Sequence, residues 1–196
     1  MNLWLRLLWL LLATPFRDRL AVPDGVLRLW FHVGLLDLDT NGHMNNGRYL
    51  TLMDLGRMDL ILRSGLWRAV LANKWTPVLS AASIRYRREL RLFRRFRLDS
   101  RIVAWGDSWF VMEQRFIARN RRGEEMVAAV ALLRGGLYDR RAKAFVPVAQ
   151  LLATVGVNAA SPEPPEEVRA FLAAEAAMKH TARDAPKRAG TEAPGG

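Results

Sequence analysis

An α+β fold, with one long helix against an antiparallel sheet, is what this sequence of 196 residues predicts. Three observations carry the prediction. Val26, Leu27, Leu29, Phe31 and Val33, with Arg28 and His32 interleaved, alternate as a half-buried strand does. Residues 47 to 65 place apolar side chains at helical spacing. Four extended runs then follow between residues 76 and 139 with turn residues but no helix between them, and such a series forms an antiparallel meander.

The chain opens with an apolar stretch, residues 1 to 22, in which Arg6 interrupts the leucines and Pro15 and the RDR at 17 to 19 close the run. It is too short to span a bilayer, which takes about 20 apolar residues. Two readings stand: a helix docked on the domain, or an interfacial helix with Trp4 and Trp9 among lipids and Arg6, Arg17 and Arg19 near phosphates. Pro23, Asp24 and Gly25 make a turn before the first strand. In the helix of residues 47 to 65, Tyr49, Leu52, Met53, Gly56 and Leu60 fill the concave face of the sheet, Gly56 permits close approach of a neighbouring backbone, and Gly65 ends the helix. Asp54 and Asp59 are read as solvated, Asp54 pairing with Arg57. The strand of residues 76 to 88 is followed by ELRLFRR, a basic hairpin connection, and then by runs from Phe96 to Trp105, from Trp109 to Arg119 and from 126 to 139, joined by tight turns at Gly106–Asp107–Ser108 and Arg121–Arg122–Gly123. Residues 147 to 155 suggest a short helix. The domain is thus expected over residues 23 to 157. A further helix follows over 158 to 180, capped by Ser161 with Pro165 in its first turn, and then a disordered tail from 181 to 196.

Composition narrows the function. A 51% hydrophobic content fits a globular protein, and a net charge of +11 permits polyanionic ligands or anionic membranes. No zinc ligand set, RNP-like aromatic motif or recognition-helix pattern accompanies the arginines, which argues against sequence-directed nucleic-acid binding. Cysteine is absent, so disulfides, thiolate nucleophiles and Cys-based metal sites are excluded, and a reducing cytoplasmic location is compatible.

The stretch Asp37 to Leu50, DLDTNGHMNNGRYL, gathers Asp37, Asp39, Asn41, His43, Asn45 and Asn46 on a strand-to-helix turn. Free backbone N–H groups and the positive end of the helix dipole suit a developing negative charge there. The same residues also fit an elaborate helix cap built on Asn45 or Asn46, with His43 a satisfied loop residue. No GxSxG elbow supports a Ser-His-Asp mechanism, and His43 with the two acids lacks the spacing of a metal site, so no metal or cofactor is expected.

A strand, then DxDxxGHxNNxRYL, then a helix resembles the acyl-CoA thioesterase-like branch of the hotdog superfamily, the 4-hydroxybenzoyl-CoA thioesterase-like branch, and in particular its HMNN subgroup. The resemblance implies a hotdog fold, in which a long central helix is wrapped by a curved antiparallel sheet. It also implies a homodimer or homotetramer and hydrolysis of an acyl-CoA thioester at a subunit boundary. By the motif, Asp39 matches the catalytic carboxylate, as nucleophile or general base, and Asn46 the position whose backbone N–H polarises the carbonyl. His43, Asn45, Gly47 and Tyr49 are then expected to hold the loop or touch substrate. The set Arg85, Arg87, Arg88, Arg91, Arg94, Arg95, Arg97 and Arg101 offers contacts to CoA phosphates, with Arg87 and Arg88 the substrate-binding candidates, although exposed arginines also solvate and protect sheet edges. Asp54 is the alternative acid, matching the place though not the spacing of another hotdog branch. A different class of reading is a catalytically silent hotdog protein that binds acyl-CoA or lipid, with residues 1 to 16 contacting a membrane.

Overall fold

The computed structural model describes residues 3 to 183, with side chains through Lys179. Helix α1 (Leu3–Ala13) and a 3-10 turn (Thr14–Phe16) lead to strand β1 (Leu27–His32) and a second 3-10 turn (Leu35–Asp37). Helix α2 (Asn46–Ser64) follows, capped by the Asn45 side chain and ended by Gly65 with φ +87°. A short α3 (Leu66–Asn73) then precedes β2 (Trp75–Tyr86), β3 (Arg95–Trp105), β4 (Phe110–Arg119), β5 (Glu125–Asp139), β6 (Ala144–Phe145), α4 (Val148–Ala153) and α5 (Glu166–Arg183).

The sheet is antiparallel in the order β1-β3-β4-β5-β2, with β6 on β5. Three of the four expected runs, β3, β4 and β5, form the meander. The fourth does not: β2 pairs with β5 at the far edge, so the connection after it is no hairpin. Residues 87 to 94 instead form a strap across the end of the sheet. Its Leu90 is fully buried. The Leu90 carbonyl accepts from the Met44 N–H at 2.8 Å, and the Phe93 N–H donates to the Val33 carbonyl at 2.9 Å. Nonlocal hydrogen bonds to the loop before α2 therefore set the path of this segment, and its charged composition does not.

Helix α2 buries Tyr49, Leu52, Met53, Leu55 and Leu60 against Leu98, Met112, Phe116 and Leu133 of the sheet. Each such side chain contributes about 1.5–3 kcal/mol of transfer free energy. Gly56 sits where the helix comes closest: a Cβ there would lie 2.6 Å from Gln114 Nε2 and 2.9 Å from Ser100 Oγ. That amide donates to Ser100 Oγ at 2.8 Å and to the Met53 carbonyl at 3.3 Å, tying helix to sheet through a buried polar contact.

Helix α1 is docked, and its one cation and the first of the segment after it point inward. Arg6 is buried against Asp37, and Arg17 clasps Asp59 with bonds of 3.0 and 3.1 Å. Asp59 is therefore fully buried, not solvated; burial pushes its carboxyl up, and Arg17 and Arg63 pull it back. Arg17 and Arg6 also reach the Arg28 and His32 carbonyls of β1, respectively, covering that edge strand. Helix α5 lays Val168, Phe171 and Leu172 on Ala104, Val111 and Leu132 at the outer face of the sheet. Ser161 does not cap it. Its Oγ accepts the Trp105 N–H at 2.9 Å, and the Pro165 carbonyl takes the first helical N–H groups. The helix runs on to Arg183, and the rest of the expected tail, residues 184 to 196, lies outside the described residues.

Candidate active site

Two acids two residues apart have opposite surroundings. Asp37 is 1% exposed. Its carboxylate pairs with Arg6, accepts the Gly34 N–H at 2.9 Å and lies 3.4 Å from Arg48 Nε, while its carbonyl accepts the Asn45 N–H at 2.8 Å. Asp37 is thus an anchor that fixes the loop from beneath. Asp39 is half-buried on the loop's outer side. Its Oδ1 accepts the Asn41 N–H at 2.9 Å and the His43 N–H at 3.3 Å, and a turn closed by the Gly42 N–H on the Asp39 carbonyl holds the backbone. Gly42 has φ +74°, which a side chain would strain. Among the described residues Asp39 Oδ2 takes no hydrogen bond, so one oxygen is held by the loop and the other is unengaged.

The helix start faces this loop with one usable donor. Asn45 Oδ1 accepts the Gly47 N–H at 2.8 Å, so Gly47 serves the cap. The Asn46 N–H has no acceptor among the described residues, and it stands at the positive end of a 19-residue helix. Tyr86 steadies this residue from β2, donating its hydroxyl to the Asn46 carbonyl at 3.1 Å.

The remaining expected residues divide. His43 Nε2 lies 2.7 Å from Glu89 on the strap, and Arg91 Nε donates to the same carboxylate at 2.6 Å, so His43 clasps loop to strap. Tyr49 is 3% exposed, edge-on to Tyr86 and Phe116 at 5.0 and 4.8 Å between ring centres. Burial first, and Tyr86 second, push its phenol up to about 12. It props the helix start from the core and does not present a surface to substrate. Arg87 and Arg88 are exposed, directly after Tyr86, with both N–H groups on the Ala128 carbonyl. Among the described residues neither they nor Arg85 has a carboxylate partner, whereas Arg97 pairs with Asp99 and Glu125, and Arg101 with Glu113. Asp54 is exposed and ion-paired with Arg57, roughly two helical turns from the free donor. Near it, a cavity of about 310 Å³ opens between α2, β2, β5 and α4, lined by Met58, Ile61, Val78, Phe110, Leu133 and Leu151. Arg57 stands at this cavity, and burial lowers its guanidinium.

Glu89, Arg6, Arg48 and Tyr86 all support the loop and were not marked as candidates by the sequence. A repeated charge in a basic segment gives no sign of its partner. No three His, Asp or Glu side chains among the described residues gather as a metal site.

A helix held in a curled antiparallel sheet with a polar loop at its start is the hotdog architecture. Two solved structures share it: the probable thioesterase YbaW of Escherichia coli (TM-score 0.58, 21% identity, covering 66% of this chain and 98% of that one) and 4-hydroxybenzoyl-CoA thioesterase of Pseudomonas sp. strain CBS-3 (TM-score 0.58, 14% identity, covering 65% and 97%). The chain belongs to the thioesterase-like superfamily, whose family model matches residues 33–172. A protein named THEM6 from Danio rerio is 40% identical over 135 residues, covering 67% of this chain and 63% of that protein. The matches to the THEM6 proteins of three animals span 60 to 63% of those relatives' length.

Proposed function

We propose that this protein hydrolyses acyl-CoA thioesters to the free acid and CoA, with Asp39 as the attacking or activating carboxylate. The observation that carries the reading is that, among the described residues, Asp39 Oδ2 and the Asn46 N–H, on the same loop and helix start, both lack a hydrogen-bond partner. In this scheme the thioester carbonyl accepts from Asn46, and the helix dipole favours the oxyanion; one such donor contributes roughly 3 kcal/mol in other enzymes. Asp39 Oδ2 then either attacks the carbonyl carbon, expelling the CoA thiolate and leaving a mixed anhydride for water to cleave, or takes the proton of an attacking water. In this reading Arg87 and Arg88 meet the CoA phosphates, which is supported by their exposure and by their having no carboxylate partner among the described residues. The cavity along α2 offers an apolar acyl site. The protein acts as a homodimer or homotetramer, and the absence of cysteine accords with a reducing, cytoplasmic setting.

The test is hydrolysis measured over a series of acyl-CoA chain lengths for the natural chain, Asp39→Asn and Asp54→Asn. Asp39→Asn is expected to lose at least about a hundredfold in turnover while remaining folded, and Asp54→Asn to stay within about threefold. Equal losses in both, or a loss in Asp54→Asn alone, would move the carboxylate role to the helix. Tight acyl-CoA binding without turnover in the natural chain would favour a silent binding protein.

A further inference from the structure

Helix α1 turns its charge inward and its apolar face outward, the reverse of a helix docked on a domain that meets only water. Arg6, the one charged residue between Leu3 and Phe16, is buried on Asp37. Outside stand Trp4, Trp9 and Phe16, exposed by 72%, 70% and 90%, with Leu5, Leu8 and Leu12 more than half exposed. The apolar surface does not stop at the helix. Arg6 also reaches the His32 carbonyl, Phe93 bonds Val33, and a groove beside α1 is lined by Trp9, Trp30 and Phe93. Next to Gly34 of that groove, Leu35 and Leu36 are also largely exposed. Trp4, Leu5, Leu8, Trp9 and Leu12 recur at helical spacing, so one whole face of α1 is apolar and exposed.

We propose that this face is a membrane-docking surface that seats α1 and the Leu35–Leu36 turn in the headgroup region of an anionic bilayer. Eleven helical residues cover about 16 Å, half the hydrocarbon thickness, and no helix among the described residues is long and apolar enough to cross a membrane. The helix therefore lies along the surface. Two tryptophans with an uncharged leucine face have the composition of interfacial helices. Arg28 lines the groove and Arg95 stacks 4.4 Å over the ring of Trp30, which also lines it; neither arginine has a carboxylate partner among the described residues. These cations complement lipid phosphate, whereas a second copy docked face to face would set like charges against each other. Inside, Arg6 on Asp37 and Arg48 on the Leu36 carbonyl at 2.7 Å join the docked turn to the loop that carries Asp39. Docking would hold that loop at the membrane surface, where acyl chains partition. The docking itself does not depend on the loop's chemistry.

The full chain is to be sedimented with vesicles of phosphatidylcholine alone and of phosphatidylcholine mixed with phosphatidylglycerol, alongside Trp4→Ser/Trp9→Ser and Arg28→Glu/Arg95→Glu. Binding to the mixed vesicles is expected. The tryptophan variant should bind about tenfold or more weakly at unchanged Tm, and the arginine variant should lose the preference for anionic lipid. Bromine-labelled acyl chains should quench tryptophan fluorescence in the natural chain and markedly less in the tryptophan variant, which keeps only Trp30 on this face. The proposal is overturned if the natural chain stays in the supernatant, or if both variants bind as it does. It also fails if binding survives carbonate extraction as that of a spanning anchor would. A change of oligomeric size in the tryptophan variant, with no vesicle binding by the natural chain, would assign the face to a second copy.

Discussion

Asp37 and Asp39 share a loop, yet removing their charges should cost different things. Asp37→Asn leaves the Arg6 guanidinium buried without a counter-charge, and losing one member of a buried pair costs roughly 3–5 kcal/mol. Asp39→Asn keeps the loop's hydrogen-bond acceptor and removes only a partly solvated charge. Urea denaturation should therefore show a large loss for the first and less than about 1 kcal/mol for the second. Tyr49 gives a pH signature of the same loop's footing. Its folded pKa of about 12 lies above the ordinary value of 10.0, so the stability it contributes is intact below pH 10 and is lost as the pH rises from 10 towards 12. The unfolded chain releases that proton first. Tyr49→Phe should flatten the fall in Tm over that window; an unchanged slope would place the raised phenol elsewhere.

At the scale of elements, what the sequence disclosed was whatever depends on near neighbours. β1, α2 and the two tight hairpins follow from alternation, helical spacing and turn residues, and Gly65 does end α2 in the left-handed region. The site loop was legible for the same reason, since its cap and turn bonds span only a few residues. Partners far along the chain were not. Arg6 and Arg17 find their acids 31 and 42 residues away, so an inward-facing arginine could not be told from a lipid-facing one. β2 is legible as a strand, but its place at the edge beside β5 is not, because pairing is fixed by the whole sheet and by the strap that Leu90 anchors. α3 was missed since LWRAVLAN is short and follows a helix stop. Gly56 is a point of close approach, but the atoms that come close belong to the side chains of Gln114, Ser100 and Leu98 and not to a neighbouring backbone. Gly56→Ala should cost about 1–3 kcal/mol in urea unfolding although alanine favours helices, because the new methyl displaces the Gln114 amide from Ser100.

For the whole molecule, the two edges of the sheet are treated differently. β1 is covered by the arginines of α1 and the following turn, while β2 ends the sheet at its other side with no strand beyond it among the described residues. β2 is long, and its middle is exposed and nearly uncharged from Pro77 to Ile84, with Leu79 at the surface. Such an edge invites pairing, since it lacks the charges that blunt exposed strands. We therefore expect two copies to pair β2 with β2, in line with the proposed homodimer, and a two-fold axis would bring Arg85, Arg87 and Arg88 of each copy to the boundary. Hydrogen exchange separates the cases. In a monomer, amides of β2 that face β5 are protected and those that face outward exchange freely, so protection alternates along residues 76 to 86. In the β2-paired dimer both sets are protected through the middle of the strand, and light scattering gives about twice the chain mass of 22.2 kDa. Alternating protection in a particle of dimer mass would place the contact on another face, and alternation at monomer mass would remove the dimer altogether.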